Sequence, residues 1–261
     1  MKHHTNVHPG IYCVLTAIIA FWFFMSGALA EAHDFSSWDA LLRKYLAPAT
    51  LAGVSLNVVA YGKLKDDPQF KKLVDDLGNA SPGNSKTQQL AFWINTYNIL
   101  AVKVVADHYP IKSIKDVGSL LKPVWKHSVA VVAGKERTLH EIEHEILRKM
   151  NEPRIHMVIV CASISCPDLR PEVYVPERLE SQLDEQTKAF VQNPGKGMKI
   201  DAPNQKIHLS SIFKWFVEDF EGSGGVLTFI SNYVSPADRQ FLNKDTFKIS
   251  YLEYNWELNG F

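Results

Sequence analysis

Two cysteines and a histidine lie in one short stretch of the chain, residues 154–167. An apolar run that contains His156 leads to Cys161, and Cys166 follows it. The residues between the two thiols include two hydroxyl side chains, Ser163 and Ser165. Three interpretations are open: Cys161 fills an apolar core, the thiols form a disulfide, or one thiol is a nucleophile that His156 or His127 activates.

The apolar, β-branched run 155–161 predicts a strand. Side chains alternate along a strand, so His156 and Cys161 would point to opposite faces of it. This spacing does not favour a direct pair between the imidazole and the thiol unless the chain bends where the strand ends.

Residues 138–150 have the periodicity of a helix, with Thr138 as its cap and Glu141 placed as in a capping box. Glu143 falls in the middle of the apolar stripe of this helix. A buried carboxylate needs a positive charge or several hydrogen-bond donors. Glu143 is therefore either a structural acceptor or a functional group, which would orient a histidine or act as an acid or base.

The same helix contains His140, Glu141 and His144 in the order H-E-x-x-H. On a helix this spacing places two imidazoles on one face as zinc ligands, with the glutamate as general base. A third ligand would have to come from a distant carboxylate. His140 and His144 are candidate ligands on this pattern, which chance also produces.

The run from Gln88 to His108 predicts a long helix that ends before Pro110. Apolar side chains cover nearly every direction around it, which indicates a buried helix. Asn95 and Asn98 nevertheless lie on one face of it, and a buried amide costs about 1–3 kcal/mol unless it is paired. The two amides either bond to loop backbone or orient a catalytic group or a substrate.

Elements of both kinds are predicted around these residues, which indicates one α+β domain with a small, mostly antiparallel sheet. The predicted helices are 35–45, 70–77, 88–108, 138–150, 176–191, 211–220, 225–233 and 236–243. The predicted strands are 129–133, 155–161, 199–200, 206–209 and 247–254, and 54–61 is either a strand or a helical turn.

The charge balance limits the classes of binding partner, and the N-terminal residues indicate where the protein is located. Twenty-eight basic residues balance 28 acidic ones, which argues against nucleic acid or anionic lipid as a charge-driven partner. Residues 11–25 carry no charge, and 26–30 form a small-residue cleavage site. We therefore predict a signal peptide over 1–30, a mature domain over 31–261 in the periplasm or medium, and no stable membrane insertion after cleavage.

Several segments together resemble the domain-of-unknown-function 547 family, in order along the mature chain: 90–98, 109–114, 139–148, 154–156, 161–167, 212–220 and 254–259. The family includes exported bacterial proteins and plant proteins, with no general biochemical activity assigned. Its pattern includes Asn95, Asn98, Glu143, His144, His156 and Cys161. Position 140 lies outside the family pattern, which argues against the zinc interpretation. Plant relatives often carry serine at position 166, which argues against an obligatory disulfide and favours Cys161 as the functional thiol.

This set of residues is similar to a papain- or transglutaminase-like thiol site, which implies such a core. The leading hypothesis is a thiol-dependent hydrolase or acyl transferase with Cys161 as nucleophile, His156 or His144 as base and Glu143 as orienting group. The residues expected to bind or orient substrate are Asn95, Asn98, Ser163 and Ser165. No cofactor is expected, and the substrate would be a small molecule, a peptide or an envelope component. The alternatives are a non-catalytic binding protein and a zinc hydrolase.

Overall fold

The computed structural model describes residues 1–2, 32–244 and 246–261. The predicted signal peptide lies almost entirely outside the described residues. Within the described part of the chain, no helix combines the length and apolar character that crossing a membrane requires.

Helices and short strands alternate along the chain, which confirms the α+β class. The α-helices are α1 (Ser36–Tyr45), α2 (Tyr61–Leu64), α3 (Pro68–Asp76), α4 (Lys86–His108), α5 (Leu179–Gln192), α6 (Ile212–Trp215), α7 (Val226–Ser231) and α8 (Pro236–Leu242). A π-helix spans Glu141–Leu147, and 3-10 helices span Leu77–Asn79, Ile114–Val117, Val124–Lys126, Arg148–Met150, Pro153–Met157, Pro176–Arg178 and Val217–Ser223. The strands are β1 (Leu46–Leu51), β2 (Val54–Val59), β3 (Ser128–Val132), β4 (Lys135–Thr138), β5 (Met198–Asp201), β6 (Lys206–Leu209) and β7 (Lys248–Tyr251).

The described strands are short and mostly antiparallel, as predicted, but they form three small sheets instead of one. The antiparallel hairpins β1–β2 and β3–β4 are each a two-stranded sheet. In the third sheet, β5 and β6 are antiparallel and β7 pairs with β6 in parallel. Each hairpin closes locally. At the β3–β4 turn, Ala133 and Gly134 both adopt positive φ, as a type I′ turn requires. The strands are four to six residues long. Strand β3 contacts α3 and α4, and β5 contacts α5.

Helix α4 is the central element, as its sequence predicts. Ser85 and Gln88 form a capping box at its start, which satisfies free N–H groups there. From Leu90 to Ala106 all but one of its side chains are buried. The buried helix therefore provides a fixed frame on which Asn95, Tyr97 and Asn98 are placed.

The prediction of a strand over 155–161 was wrong. Pro153 begins a 3-10 helix that runs to Met157, and the Glu152 carboxylate accepts a hydrogen bond from the N–H of Arg154 at 3.0 Å. Proline at the first helical position and a capping acceptor favour a helical turn. Beyond it, the Asn98 amide bonds to the backbone of the segment that leads to Cys161. A local start signal and a side chain distant in sequence thus override β propensity.

The helix predicted over 138–150 is present, but its geometry is not α-helical. Its central part, Glu141–Leu147, is a π-helix, and a 3-10 turn follows it. The Thr138 hydroxyl accepts from the N–H of Glu141 at 3.0 Å, so Thr138 acts as the predicted cap. Single π turns occur frequently at functional sites, and this one presents Glu143 and His144 to a cavity.

Candidate functional site

A cavity of about 290 Å³ collects the chemical groups that the sequence singled out. Its polar lining comes from Tyr97, His140, Glu143, His144, His156, Cys161 and Cys166. Its aromatic wall consists of Trp125, Trp215, Phe216, Tyr254 and Trp256. The four residues predicted as catalytic therefore line one cavity, whereas Asn95, Asn98, Ser163 and Ser165 do not line it.

The Cys161 thiol lies within hydrogen-bond distance of two hydroxyl groups. Its Sγ is 3.1 Å from the hydroxyl of Tyr254 and 3.2 Å from that of Ser163. Burial acts to raise the pKa of this thiol, but hydrogen bonds from Cys166, Ser163 and Tyr254 outweigh burial and hold the pKa below its usual value. Burial raises the pKa of the Tyr254 hydroxyl well above its usual value, so that group remains a donor.

Both thiols are free in the structure. The Sγ of Cys166 accepts a hydrogen bond from the backbone N–H of Cys161 at 2.7 Å, so the two side chains are neighbours. Burial raises the pKa of the Cys166 thiol well above its usual value. Of the two cysteines, Cys161 is the one whose surroundings favour the thiolate that a nucleophile requires.

His156 forms a close pair with a carboxylate. Its Nε2 lies 2.7 Å from Oδ2 of Asp219, and its ring stacks on Phe216 with centroids 4.1 Å apart. Burial lowers the pKa of His156 despite this carboxylate, so the imidazole is neutral at neutral pH. Because a carboxylate only accepts, Nε2 carries the proton and Nδ1 keeps its lone pair. Among the described residues, Nδ1 has no hydrogen-bond partner.

His144 has the opposite arrangement of its ring nitrogens. Its Nδ1 lies 3.0 Å from a guanidinium nitrogen of Arg148, and a guanidinium can only donate. Burial and then the positive charges of His140 and Arg148 lower the pKa of His144 to about 4. The imidazole is therefore neutral at neutral pH, with its proton on Nε2, and can serve as a hydrogen-bond donor.

Arg148 connects this pair of histidines. Its guanidinium makes two 2.7 Å hydrogen bonds to the Asp219 carboxylate, one to each oxygen. Hydrogen bonds from His156 and Arg148 hold the pKa of Asp219 well below its usual value, although burial opposes them. Asp219 stays charged and fixes the orientation of the His156 and Arg148 side chains.

Among the described residues, no histidine forms a hydrogen bond with the Glu143 carboxylate, so the predicted role of Glu143 as the orienting carboxylate is not supported. Its Oε2 accepts a hydrogen bond from the Tyr97 hydroxyl at 3.0 Å. Burial raises the pKa of Glu143 to about 7, with the Tyr97 hydrogen bond opposing the shift. Asp219 orients His156, and Glu143 is a separate group on the cavity wall that changes charge near neutral pH.

The two predicted amides on α4 bond to backbone at both ends. Asn95 donates to the carbonyl of Tyr174 at 2.8 Å and accepts from its N–H at 3.0 Å. Asn98 donates to the carbonyl of Val158 and accepts from the N–H of Val160, both at 3.0 Å. Of the two interpretations, the structure favours bonds to loop backbone, and Asn98 thereby positions the segment that precedes Cys161.

The C-terminal segment holds the turn that follows Cys161. Ala162 adopts a φ of 56°, a conformation that few non-glycine residues take and that recurs at functional sites. The N–H of Asn255 donates to the hydroxyl of Ser165 at 2.9 Å, and Ser163 pairs with Leu258. These contacts bring Tyr254 and Trp256 to the cavity. Ser163 and Ser165 therefore position the C-terminal segment.

The two histidines of the zinc pattern lie side by side, with ring centroids 4.4 Å apart. Glu141, however, accepts hydrogen bonds from Lys135 at 2.7 Å and Arg137 at 2.5 Å, and Arg148 occupies one nitrogen of His144. Among the described residues, no group of three or more histidine, cysteine, aspartate or glutamate side chains is arranged to hold a metal ion. The donor set therefore does not fit a zinc centre.

Sequence reasoning missed three groups of this site: Arg148, Asp219 and Tyr254. Asp219 and Tyr254 lie in segments that resemble the family pattern, but neither segment carries a chemical motif of its own. A carboxylate 63 residues from its histidine has no spacing that identifies it. Only the fold brings these groups to Cys161.

Comparison with protein families supports the resemblance in part. Residues 83–191 match the family described as "Protein of unknown function, DUF547". This region includes α4, the π-helix, His156 and Cys161, whereas Asp219 and Tyr254 lie beyond it. Neither the curated proteins nor the solved structures gave a match.

Proposed function

We propose that the cavity is the active site of a thiol-dependent hydrolase or acyl transferase, with Cys161 as the nucleophile. One observation carries the proposal: a thiol within hydrogen-bond distance of two hydroxyl groups lines the same cavity as a histidine–aspartate pair. A nucleophile, a base and a group that orients the base are the parts that acyl transfer requires.

His156 is the base in this proposal, in preference to His144. The lone pair on its Nδ1 can take the proton from the Cys161 thiol while the Nε2 proton stays bonded to Asp219. The thiolate then attacks a carbonyl carbon to form a thioester, and the imidazolium returns the proton to the leaving group. Water, in a hydrolase, or another acceptor, in a transferase, releases the acyl group from Cys161.

His144 supplies a donor. With its proton on Nε2, the neutral imidazole can hydrogen-bond to the carbonyl oxygen on which negative charge develops during attack. Arg148 maintains this tautomer because it can only donate to Nδ1. The two histidines thus take different roles that follow from their different partners.

The aromatic wall favours a substrate with an apolar or planar portion. Trp215, Tyr254 and Trp256 pack together, with ring centroids 4.6–6.0 Å apart. Large aromatic surfaces bind apolar groups well. The same wall also supports the second candidate function, a non-catalytic binding protein whose polar groups satisfy one another.

Alkylation of Cys161 distinguishes the two functions. We expect iodoacetamide to modify Cys161 at pH 6–7, after mild reduction, about 10-fold faster than a model thiol, because its pKa is lowered. His156→Ala should slow the reaction, whereas His140→Ala, in the same cavity, should not. Peptide mass spectrometry assigns the modified cysteine, with Cys166→Ser as a check.

A direct test uses p-nitrophenyl acetate as an acyl donor. We expect an acetylated protein in the intact mass spectrum and its loss in Cys161→Ser. A Cys161 that alkylates no faster than the model thiol, and that takes up no acetyl group, contradicts the enzyme and favours the binding protein.

Export and the full extent of the family resemblance belong to the same proposal. The N-terminal pattern supports a signal peptide over 1–30, and segments 212–220 and 254–259 support a resemblance that continues beyond residue 191. Terminal sequencing of the purified protein tests export: Glu31 is the expected first residue, and a retained residue 1 contradicts it.

A further inference from the structure

Two adjacent leucines stand out on the surface of the described chain. Leu120 and Leu121 are 103% and 99% exposed. Apart from Met1, the other exposed large apolar side chains of the described residues are only 43–59% exposed. Single exposed apolar side chains are ordinary. Two neighbouring leucines that are both fully exposed make no packing contact within the protein, so packing does not explain them.

The loop that carries the two leucines is closed by hydrogen bonds. The N–H of Ser119 donates to the carbonyl of Lys122 at 3.0 Å, and the N–H of Lys122 donates to the Ser119 hydroxyl at 3.1 Å. At the base of the loop, a Cβ on Gly118 would lie 2.5 Å from the nitrogen of Val124, so only glycine fits. The leucines therefore occupy the tip of a hydrogen-bonded turn, where Gly, Asn, Asp, Ser or Pro is usual.

Positively charged residues flank this turn in the sequence. Residues 110–127 contain four lysines and one acidic residue: Lys112, Lys115, Lys122, Lys126 and Asp116. Asp116 accepts hydrogen bonds from the backbone N–H groups of Lys112 and Ser113. Glu253 and Glu257 line a surface pocket together with Lys112, so of the four lysines Lys112 is the one with these acidic neighbours. The whole chain is neutral, and that overall balance argues against anionic lipid as a partner of the chain as a whole. Residues 110–127 differ from the whole chain, because their lysines outnumber their acidic residues.

Tryptophans connect the turn to the rim of the cavity. Trp125, just beyond the turn, lies 6.2 Å from Trp256 between ring centroids, and Trp256 stacks on Trp215 at 6.0 Å. The ammonium of Lys115 lies 4.8 Å above the ring of Trp256. Trp215 is 48% exposed. Tryptophan beside lysine is the combination that suits the boundary between lipid headgroups and acyl chains.

We propose that the turn at residues 118–123 docks this protein reversibly on an anionic lipid surface. The side chains of Leu120 and Leu121 would enter the boundary between headgroups and acyl chains, and the lysines would lie near lipid phosphates. Charge complementarity selects this partner over a neutral one. The rim of the cavity would then face the lipid, an inference that does not depend on the chemistry of Cys161.

Vesicle sedimentation tests the docking surface. We expect the protein to bind vesicles of equal parts phosphatidylcholine and phosphatidylglycerol more strongly than phosphatidylcholine alone. Binding should weaken between about 0.1 M and about 1 M salt, because salt screens exposed charges. The double variant L120S/L121S should bind about 10-fold less tightly or weaker, since it removes the inserted apolar surface. Both side chains are fully exposed, so folding should be unaffected.

A matched control uses two other exposed apolar residues. The double variant V131S/I249S removes similar side chains outside the turn and should bind vesicles as the unaltered protein does. Equal weakening by both double variants, or no binding to the anionic vesicles, overturns the proposal. If light scattering shows a dimer that L120S/L121S dissociates, without vesicle binding, the leucines form a contact between two copies and the proposal is equally overturned.

Discussion

His144 and His156 line the same cavity, and their partners give the two imidazoles different chemistry. An arginine can only donate and an aspartate can only accept, so the tautomer of each ring is fixed by its neighbour. The sequence predicts that both histidines belong to one site. It cannot predict which of them is the base, because Asp219 reaches His156 only through the fold.

Glu143 gives the site a measurable dependence of stability on pH. Its pKa is raised from 4.5 to about 7 by burial, so the folded state holds this proton where the unfolded state has lost it. The resulting stabilisation is complete below pH 4.5 and is lost as the pH rises through about 7. Relative to the unaltered protein, Glu143→Gln should therefore gain stability steadily over this range, by about 1–3 kcal/mol at most.

Urea unfolding at several pH values measures this gain. The amide oxygen of the new glutamine can still accept from the Tyr97 hydroxyl, so the substitution removes mainly the charge. Glu145→Gln is the matched control on the same helix, because Glu145 is exposed and paired with Lys149. A difference between Glu143→Gln and the unaltered protein that does not change with pH contradicts the assignment.

Elements with local signals follow the sequence closely, and those that depend on distant partners do not. Helix α4 has its capping box and apolar periodicity within its own residues, and the β5–β6 hairpin has a turn between its strands. The run 155–161 looked like a strand because its residues are apolar and β-branched. Its actual form depends on Pro153 and on Asn98, which lies 60 residues away from its bonded carbonyl.

The paired amides of α4 allow a comparison at the scale of this helix. Asn95 and Asn98 are equally buried, and each makes two hydrogen bonds to backbone. Either alanine substitution leaves a buried carbonyl and N–H unpaired, so both should lower the free energy of unfolding by about 2–4 kcal/mol. Only Asn98 holds the segment before Cys161.

Cys161 alkylation separates the two substitutions. We expect Asn98→Ala to slow the reaction with iodoacetamide, whereas Asn95→Ala, of similar stability, should react at the rate of the unaltered protein. Measurements are made well below the urea midpoint of either variant. Equal rates in the two variants would mean that Asn98 has no role in positioning the thiol.

At the scale of the molecule, the cavity lies where two hydrophobic clusters meet. The larger cluster is built around α4 and includes Cys161 and Trp125 at its edge. The smaller one contains the C-terminal elements, with Phe216 and Tyr254 at its edge. Sequence patterns predict the elements of both clusters, but not that their edges enclose one site, because that depends on long-range packing.

The Arg148–Asp219 pair joins these two parts of the molecule beside the cavity. Both side chains are largely buried, with 26% and 20% exposure. Removing the charge of one partner leaves the other charge unpaired, which costs more than the pair itself contributes. Asp219→Asn should therefore lower the free energy of unfolding at pH 7 by about 2–4 kcal/mol.

The direction of the pKa shift of Asp219 makes neutral pH the right condition for measuring the stability of Asp219→Asn. The pKa of Asp219 is held well below its usual value, so its contribution is complete above pH 3.8 and is lost only as the pH falls through the folded-state pKa. Glu221→Gln, an exposed substitution in the same 3-10 helix, should change stability by less than about 0.5 kcal/mol. If Asp219→Asn behaves like this control in urea, the pair does not join the two clusters energetically. A large loss of stability, accompanied by slower alkylation of Cys161, would mean that the contact which joins the clusters also orients His156.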